Sequence, residues 1–253
     1  MTAALGGRVA LVTGAAGGIG RATALMLADM GADLVALDLK EEELAETACA
    51  AIGKGRRVHT IPRDIRERDA LAAAIAEAEA QFGGIDILVN NAGVGLAGPP
   101  EIDALEDHDL DRMFGVHVMG AFVATRAVVS GMKARRWGRI VNIASNRGQV
   151  GHTDGSHYSA AKGALIAAAK SWAKELAPFG ILVNAVAPGV VRTPMTERRG
   201  IEAVREEAEL NLVKRWAEPE EIAATVAFLV GPAGSYYTGQ LLCPNGGDPV
   251  VGV

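Results

Sequence analysis

The apolar run Val9, Ala10, Leu11, Val12, Thr13 breaks into Gly14, Ala15, Ala16, Gly17, Gly18, Ile19, Gly20, and an Ala- and Leu-rich stretch follows at once. A short run with so little polar alternation suits a strand buried on both faces, and the stretch after the glycines suits a helix of about ten residues or more. Strand, glycine turn and helix open a βαβ unit, which commits the chain to a parallel sheet with right-handed helical crossovers. Glycines at such a turn let the backbone approach a pyrophosphate, whose charge is met by the free amides and the positive end of the new helix. The spacing is Gly-x-x-x-Gly-x-Gly at 14, 18 and 20. A second apolar run at 34–37 ends in Asp38, an acid about twenty residues past the glycines, where a ribose diol would be held.

The alternation continues to the end of the chain. Strands are predicted at 57–61, 85–89, 139–144, 181–186 and 240–243, and helices at 70–81, 109–134, 157–178 and about 219–230. The fold class is therefore α/β, a doubly wound Rossmann-type three-layer fold with a mainly parallel seven-stranded sheet. With no linker, repeat or low-complexity tract, residues 1–253 read as one domain, and the charged stretch 195–212 reads as a mobile lid. Ligands bind at the carboxyl ends of such strands. Gly14, Asp38, Asp64, Asn90, Ser145 and Pro188 each follow a predicted strand, the pattern of one site assembled from many loops.

Tyr158 and Lys162 stand four residues apart on a predicted helix, so phenol and ammonium share one face. A free tyrosine has a pKa of about 10, too high for a base near neutrality. A lysine charge roughly 5 Å away, at an effective dielectric of about 20, favours the phenolate by on the order of 3 kcal/mol before any opposing desolvation. The expectation is a phenol brought near working pH, able to take the proton of an alcohol or give one to a carbonyl. Ser145, at the end of a predicted strand, would fix the substrate oxygen.

Taken together, Thr13 with Gly14, Gly18, Ile19 and Gly20, the turn from Asn90 to Gly93, Ser145, Tyr158 with Lys162, and Pro188 with Gly189 resemble the short-chain dehydrogenase/reductase family, in its branch of about 250 residues, over essentially the whole chain. The resemblance implies an oxidoreductase that moves hydride between NAD(H) and a secondary alcohol or ketone, with Tyr158 as general acid/base. Reduction of 3-oxoacyl thioesters is the alternative among enzymes, and a nicotinamide-binding sensor without turnover is the alternative from another class. By the same resemblance, Ser145, Tyr158, Lys162 and His117 are catalytic, His117 standing where relatives usually carry an asparagine that supports a helix kink and a proton path. Gly14, Gly18, Ile19, Gly20, Asp38, Asp64, Ile65, Asn91, Gly93, Pro188, Val191 and Thr193 would bind the cofactor along with Tyr158 and Lys162. Residues 146–155 and the segment after Gly189 would wall the pocket, which makes Arg147, Gln149 and His152 candidate substrate contacts, each weighed against an exposed loop position. In the lid, Arg198 and Arg199 are candidates to meet an anionic group, while Glu202, Glu206, Glu207 and Glu209 favour a solvated helix face. The resemblance further implies a homotetramer, paired through the Ala-rich helix that carries Tyr158 and Lys162. Asp38 favours NAD over NADP, since a 2′-phosphate would meet its charge, and Lys40 is the nearby cation that could offset it.

Composition sets limits on this reading. Net charge is −5 with no long basic run, so nucleic acid is not an expected partner. Cys49 and Cys243 belong to no ligand-like cluster, so neither a metal site nor a disulfide framework is expected. No apolar stretch is expected to reach the roughly 20 residues that cross a bilayer, and the early first strand leaves little room for a signal peptide, so a cytoplasmic setting is the expectation.

Overall fold

The computed structural model describes residues 4–95, 101–153 and 155–250. The expected single unit 1–253 extends past them at both ends, and residue 154 of the expected pocket wall also lies outside the described residues. In chain order the elements are β1 (Val9–Thr13), α1 (Gly18–Asp29), β2 (Asp33–Asp38), α2 (Glu41–Ile52), β3 (Val58–Pro62), α3 (Arg68–Phe82), β4 (Ile87–Asn90), α4 (Asp107–Phe114), a π-helical turn (Gly115–Met119), α5 (Gly120–Arg135) and β5 (Gly138–Ile143). There follow α6 (Arg147–Val150), α7 (Ser156–Leu176), β6 (Ile181–Val186), α8 (Pro194–Glu197), α9 (Ile201–Leu210), α10 (Pro219–Val230) and β7 (Leu241–Leu242).

The strands form one sheet in the order β3-β2-β1-β4-β5-β6-β7, and every neighbouring pair is parallel. Strand order reverses between β1 and β4, which opens a crevice at their carboxyl ends. Side chains alternate across the sheet. Ala10, Val12, Ile87 and Val89 face a core shared with Leu27 of α1, Leu44 of α2 and Ile222 and Val226 of α10, whereas Leu11 and Leu88 face Ile75 of α3, Val128 of α5 and Leu176 of α7. Burial on both faces is why these strands read as unbroken apolar runs.

The helix over Glu41–Ile52 is assigned by nothing in the sequence reading; three glutamates in its first turn complement the helix dipole, and Thr47 Oγ1 donates 3.0 Å to the Ala15 carbonyl, docking it under the glycine loop. The expected single helix over 109–134 is instead α4 and α5 joined through the π-helical turn, with Gly115 and Gly120 at its edges. At Gly120 a Cβ would stand 2.6 Å from Ile65 Cγ1, so close helix approach excludes any larger residue there. The continuous rod Asp107–Arg135 is 29 residues long with a window of mean hydropathy 1.4, long and apolar enough by length and composition to cross a membrane, contrary to the expectation; 56% of that window is buried inside the fold, where Val123, Ala124, Val128 and Met132 pack in the second core.

A polar ladder crosses the sheet toward α7. Asn90 Nδ2 donates to Thr125 Oγ1 (3.1 Å) and Asn142 Oδ1 (2.9 Å), and Asn142 Nδ2 donates to the Leu165 carbonyl (3.1 Å). Buried amides left unpaired are costly, so this ladder fixes the height of α7 over β5.

The glycine loop is set by packing. A Cβ on Gly20 would collide with the Gly14 carbonyl, whereas one on Gly17, an extended residue with φ −165°, would meet nothing within 4 Å. Gly20→Ala is expected to lower the unfolding free energy in urea by at least ~2 kcal/mol, and Gly17→Ala to change it by no more than ~0.5 kcal/mol. Equal effects at the two positions would contradict the packing account.

Candidate active site

Three segments meet at the carboxyl end of β1. Gly14 has φ +71°, and a Cβ there would press Asn91 Nδ2 at 2.7 Å and Ala92 Cα at 2.9 Å. Asn91 Nδ2 in turn donates to the carbonyls of Thr13 (2.9 Å) and Gly14 (3.2 Å), and Thr13 Oγ1 accepts from the amides of Asn91 and Ala92. The Asn91 side chain thus braces the glycine loop from the turn after β4. Gly18 brings the loop against the segment after β6, since a Cβ there would lie 3.1 Å from Thr193 Cγ2. Ile19 is partly buried against the first core. No side chain caps the N-terminus of α1 and no acid sits in its first turn, so amides and dipole face whatever anion the loop receives.

Asp38 ends β2 beside this loop. Its Oδ2 accepts from the Ala16 amide and its Oδ1 from the Lys40 amide, both at 3.0 Å. The Lys40 ammonium is paired elsewhere, 2.7 Å from Glu43 Oε1, and that bond holds the Glu43 carboxyl below its usual range. Asp64 is gripped by the Arg66 guanidinium at 2.6 to 3.1 Å, chiefly through that hydrogen bond, and is held below the usual carboxylate range. Ile65 is buried in the second core under Gly120.

Along the segment after β6, the Pro188 carbonyl accepts from the Asn146 amide at 3.0 Å, tying it to the Ser145 loop. Val191 is buried and bridged to Ala217, and the Thr193 hydroxyl caps α8 by accepting from the Thr196 amide at 3.3 Å.

Ser145, Tyr158 and Lys162 converge as their spacing predicts. The Ser145 hydroxyl lies close enough to the Tyr158 phenol to act on it, while Ser145 Oγ itself donates to Asn146 Oδ1 and accepts from the Arg147 amide, both at 3.2 Å. Lys162 Nζ donates 2.8 Å to the Ile143 carbonyl at the end of β5 and lies 5.7 Å from the centre of the Tyr158 ring. Gly148 permits this geometry, because a Cβ there would stand 2.7 Å from the Lys162 carbonyl carbon, so α6 lies directly on α7.

The electrostatics depart from expectation. Burial pushes the Lys162 ammonium down to about 7. Burial likewise pushes the Tyr158 phenol above its ordinary value, opposed by the Ser145 hydrogen bond and then by the Arg147 charge. The sequence reading has Lys162 drawing the phenol down toward neutrality; desolvation wins for both groups, and the opposing cation is Arg147.

His117 points out of the π-helical turn with its ring edge-on to Tyr158, at 5.5 Å between centroids. Its Nε2 lies 3.1 Å from the Val94 amide and 3.0 Å from the Val94 carbonyl, while Nδ1 is buried without a partner. Gly93 makes room for the ring, since a Cβ there would reach His117 Cε1 at 2.5 Å. Burial, and then the Lys162 charge, hold the imidazole well below its usual range. It stays neutral at physiological pH, which removes the acid titration near 6.5 that its reference value predicts.

Of the candidate substrate contacts, Arg147 is largely shielded and bonded to Glu207 of α9, Gln149 Oε1 accepts from the Cys243 thiol at 3.3 Å, and His152 is exposed on the turn before α7. The lid reading needs one correction. Glu202, Glu206 and Glu209 are solvated as expected, but Glu207 shares the inward face of α9 with buried Val204 and Ala208, a placement that helical periodicity already contains.

Comparison with known proteins agrees with this architecture. The short chain dehydrogenase family model matches residues 8–203. The 3-oxoacyl-(acyl-carrier-protein) reductase FabG of Thermotoga maritima is 38% identical over 244 residues, 96% of this chain and 98% of its own. Short-chain reductase protein NovJ of Streptomyces niveus is 38% identical over 250 residues, 95% and 94% of the two chains. Among solved structures, levodione reductase matches with a TM-score of 0.92 at 31% identity, over 96% of this chain and 98% of its own. Carveol dehydrogenase from Mycobacterium avium, solved in complex with NAD, gives 0.91 at 31% identity over the same shares. The parallel sheet, the glycine loop at its switch point and these full-length matches make the chain a member of the short-chain dehydrogenase family, an oxidoreductase on a Rossmann-type fold.

Proposed function

We propose that the protein transfers hydride between NAD(H) and a secondary alcohol or its ketone, within one domain spanning 1–253 and under a lid at 195–212. The observation that carries this reading is the convergence of Ser145, Tyr158 and buried Lys162, the last bonded to the Ile143 carbonyl, at the strand ends beside the glycine loop. The uncapped α1 N-terminus, with open space beside Gly17 just before it, suits a pyrophosphate. Gly18, Ile19 and Asp38 would hold the adenosine half, and Pro188, Val191 and Thr193 the nicotinamide half. A bound nicotinamide supplies the hydride acceptor or donor.

The chain's own groups handle the oxygen and its proton. Ser145 Oγ holds the substrate oxygen, and Tyr158 Oη gives it a proton in reduction or takes one in oxidation. A phenol held neutral by burial is set to donate; in the oxidative direction the active phenolate grows about tenfold per pH unit below its pKa. Lys162, bonded to Ile143, fixes the far side of the phenol, and neutral His117 packs against its edge. A second reading, reduction of a 3-oxoacyl thioester, is favoured by the 38% identity to the Thermotoga maritima reductase.

NAD is favoured because Asp38 presents a carboxylate at the glycine loop while the Lys40 charge is spent on Glu43. A homotetramer is favoured by Phe122, 44% exposed on α5 and stacked edge-on at 4.9 Å against Trp172 of the small-residue helix α7, an apolar face that self-association would cover.

Tyr158→Phe is expected to keep the fold and nicotinamide binding but to lower turnover at least ~100-fold, and wild-type alcohol oxidation to accelerate between pH 7 and 9. Activity within a factor of about three of wild type would remove Tyr158 from the acid/base role. Steady-state kinetics should give a higher kcat/KM with NAD than with NADP, and the reverse order would overturn the cofactor assignment. Light scattering should give about four times the chain mass of 26.2 kDa; a monomer mass at micromolar concentration would refute the tetramer.

A further inference from the structure

Arg147 begins α6 two residues after Ser145, and its side chain is only 12% exposed. Its Nη2 lies 3.1 Å from Glu207 Oε1, and Glu207 Oε2 lies 2.6 Å from Arg199 Nη2. One carboxylate is thus shared by two guanidiniums, and among the described residues neither arginine has a second acidic partner. The cluster keeps a net positive charge in a partly dehydrated setting, where an unmatched charge is costly and a second anion is welcome. A guanidinium has five N–H donors, so the bond to Glu207 leaves Arg147 with donors for another carboxylate, a match in geometry as well as charge. Glu207 reaches the cluster from α9, whose Val204 and Ala208 pack on the same inward face.

The cluster acts at the reacting end of the pocket. The Arg147 amide donates 3.2 Å to Ser145 Oγ, and the Arg147 charge bears on the Tyr158 phenol with Glu207 opposing. A substrate oxygen held between Ser145 and Tyr158 therefore has its neighbouring substituents beside Arg147. We propose that Arg147 is a substrate-binding residue that selects a carboxylate within a few bonds of the reacting carbinol, making the substrate class short hydroxycarboxylates and their oxo acids. The inference rests on the oxidoreductase reading above. In the oxidation the carbinol carbon loses hydride to the nicotinamide and its hydroxyl loses a proton to Tyr158, leaving the oxo acid with its carboxylate unchanged. The phosphate at the far end of a pantetheine arm lies too distant from the reacting carbon to be the anion that this arginine meets.

The test compares 2- and 3-hydroxybutanoate with their methyl esters and with the N-acetylcysteamine thioester of 3-hydroxybutanoate, using the full chain with NAD and with NADP. Wild type should favour an acid over its ester by at least about tenfold in kcat/KM, Arg147→Gln should erase most of that ratio through the KM of the acid, and Arg147→Lys should retain part of it. A latch that merely holds the lid would lower both substrates alike and leave the ratio within about threefold of wild type, which overturns the proposal. So does a wild-type preference for ester or thioester, a result that needs no variant to fold. Absence of hydride transfer with all of these substrates and simple secondary alcohols would instead remove the oxidoreductase reading underneath.

Discussion

Lys162 carries its ammonium into the interior and donates it to the Ile143 carbonyl, and the geometry of the site hangs on that bond. Helix α7 is held over the end of β5 at two heights, by Lys162 and by the Asn142 bond to the Leu165 carbonyl, so Tyr158 is presented at a fixed level beside Ser145. The arrangement costs stability. With its pKa lowered from 10.5 to about 7, Lys162 binds fewer protons in the folded than in the unfolded state between those values. Stability from this group therefore rises with pH through that window, and the penalty, on the order of a few kcal/mol, is fully present below pH 7. Two apolar cores, one on each face of the sheet, offset it.

Burial of this cation organises its neighbours. The Lys162 charge, second to desolvation, keeps His117 neutral, and His117 in turn fits against Gly93 and bonds Val94, so the end of β4 is shaped around it. Burial also pushes the Tyr158 phenol above its ordinary value. Arg147 is the countervailing charge, and its bond to Glu207 links that influence to α9.

Much of this was legible in the sequence. Apolar runs marked the buried strands because a parallel sheet is covered on both faces, and the residues after each run fell at one end because parallel strands share a direction. Tyr158 and Lys162 met because helical spacing leaves them no other choice. Spacing, however, supplies distances and not dehydration, so the phenol was given the wrong direction of shift. The bonds of Asn91 to the Thr13 and Gly14 carbonyls depend on a loop fold that no local pattern encodes. The π-helical turn is similarly silent, since Gly115 and Gly120 lower helix propensity without specifying which register replaces it. The inward placement of Glu207 is contained in the helical pattern, because Val204 and Ala208 define the face on which it lies.

Protonation of Lys162 is the property on which the geometry and charge of the site most depend. Protein labelled with carbon-13 at lysine Cε can be titrated by NMR from pH 5 to 11, with Lys162→Met assigning the resonance. One lysine titrating near pH 7, absent in the variant, while the others titrate near their reference value of about 10.4, is the predicted result. Titration of Lys162 together with the surface lysines would contradict the buried cation on which the account of the site depends.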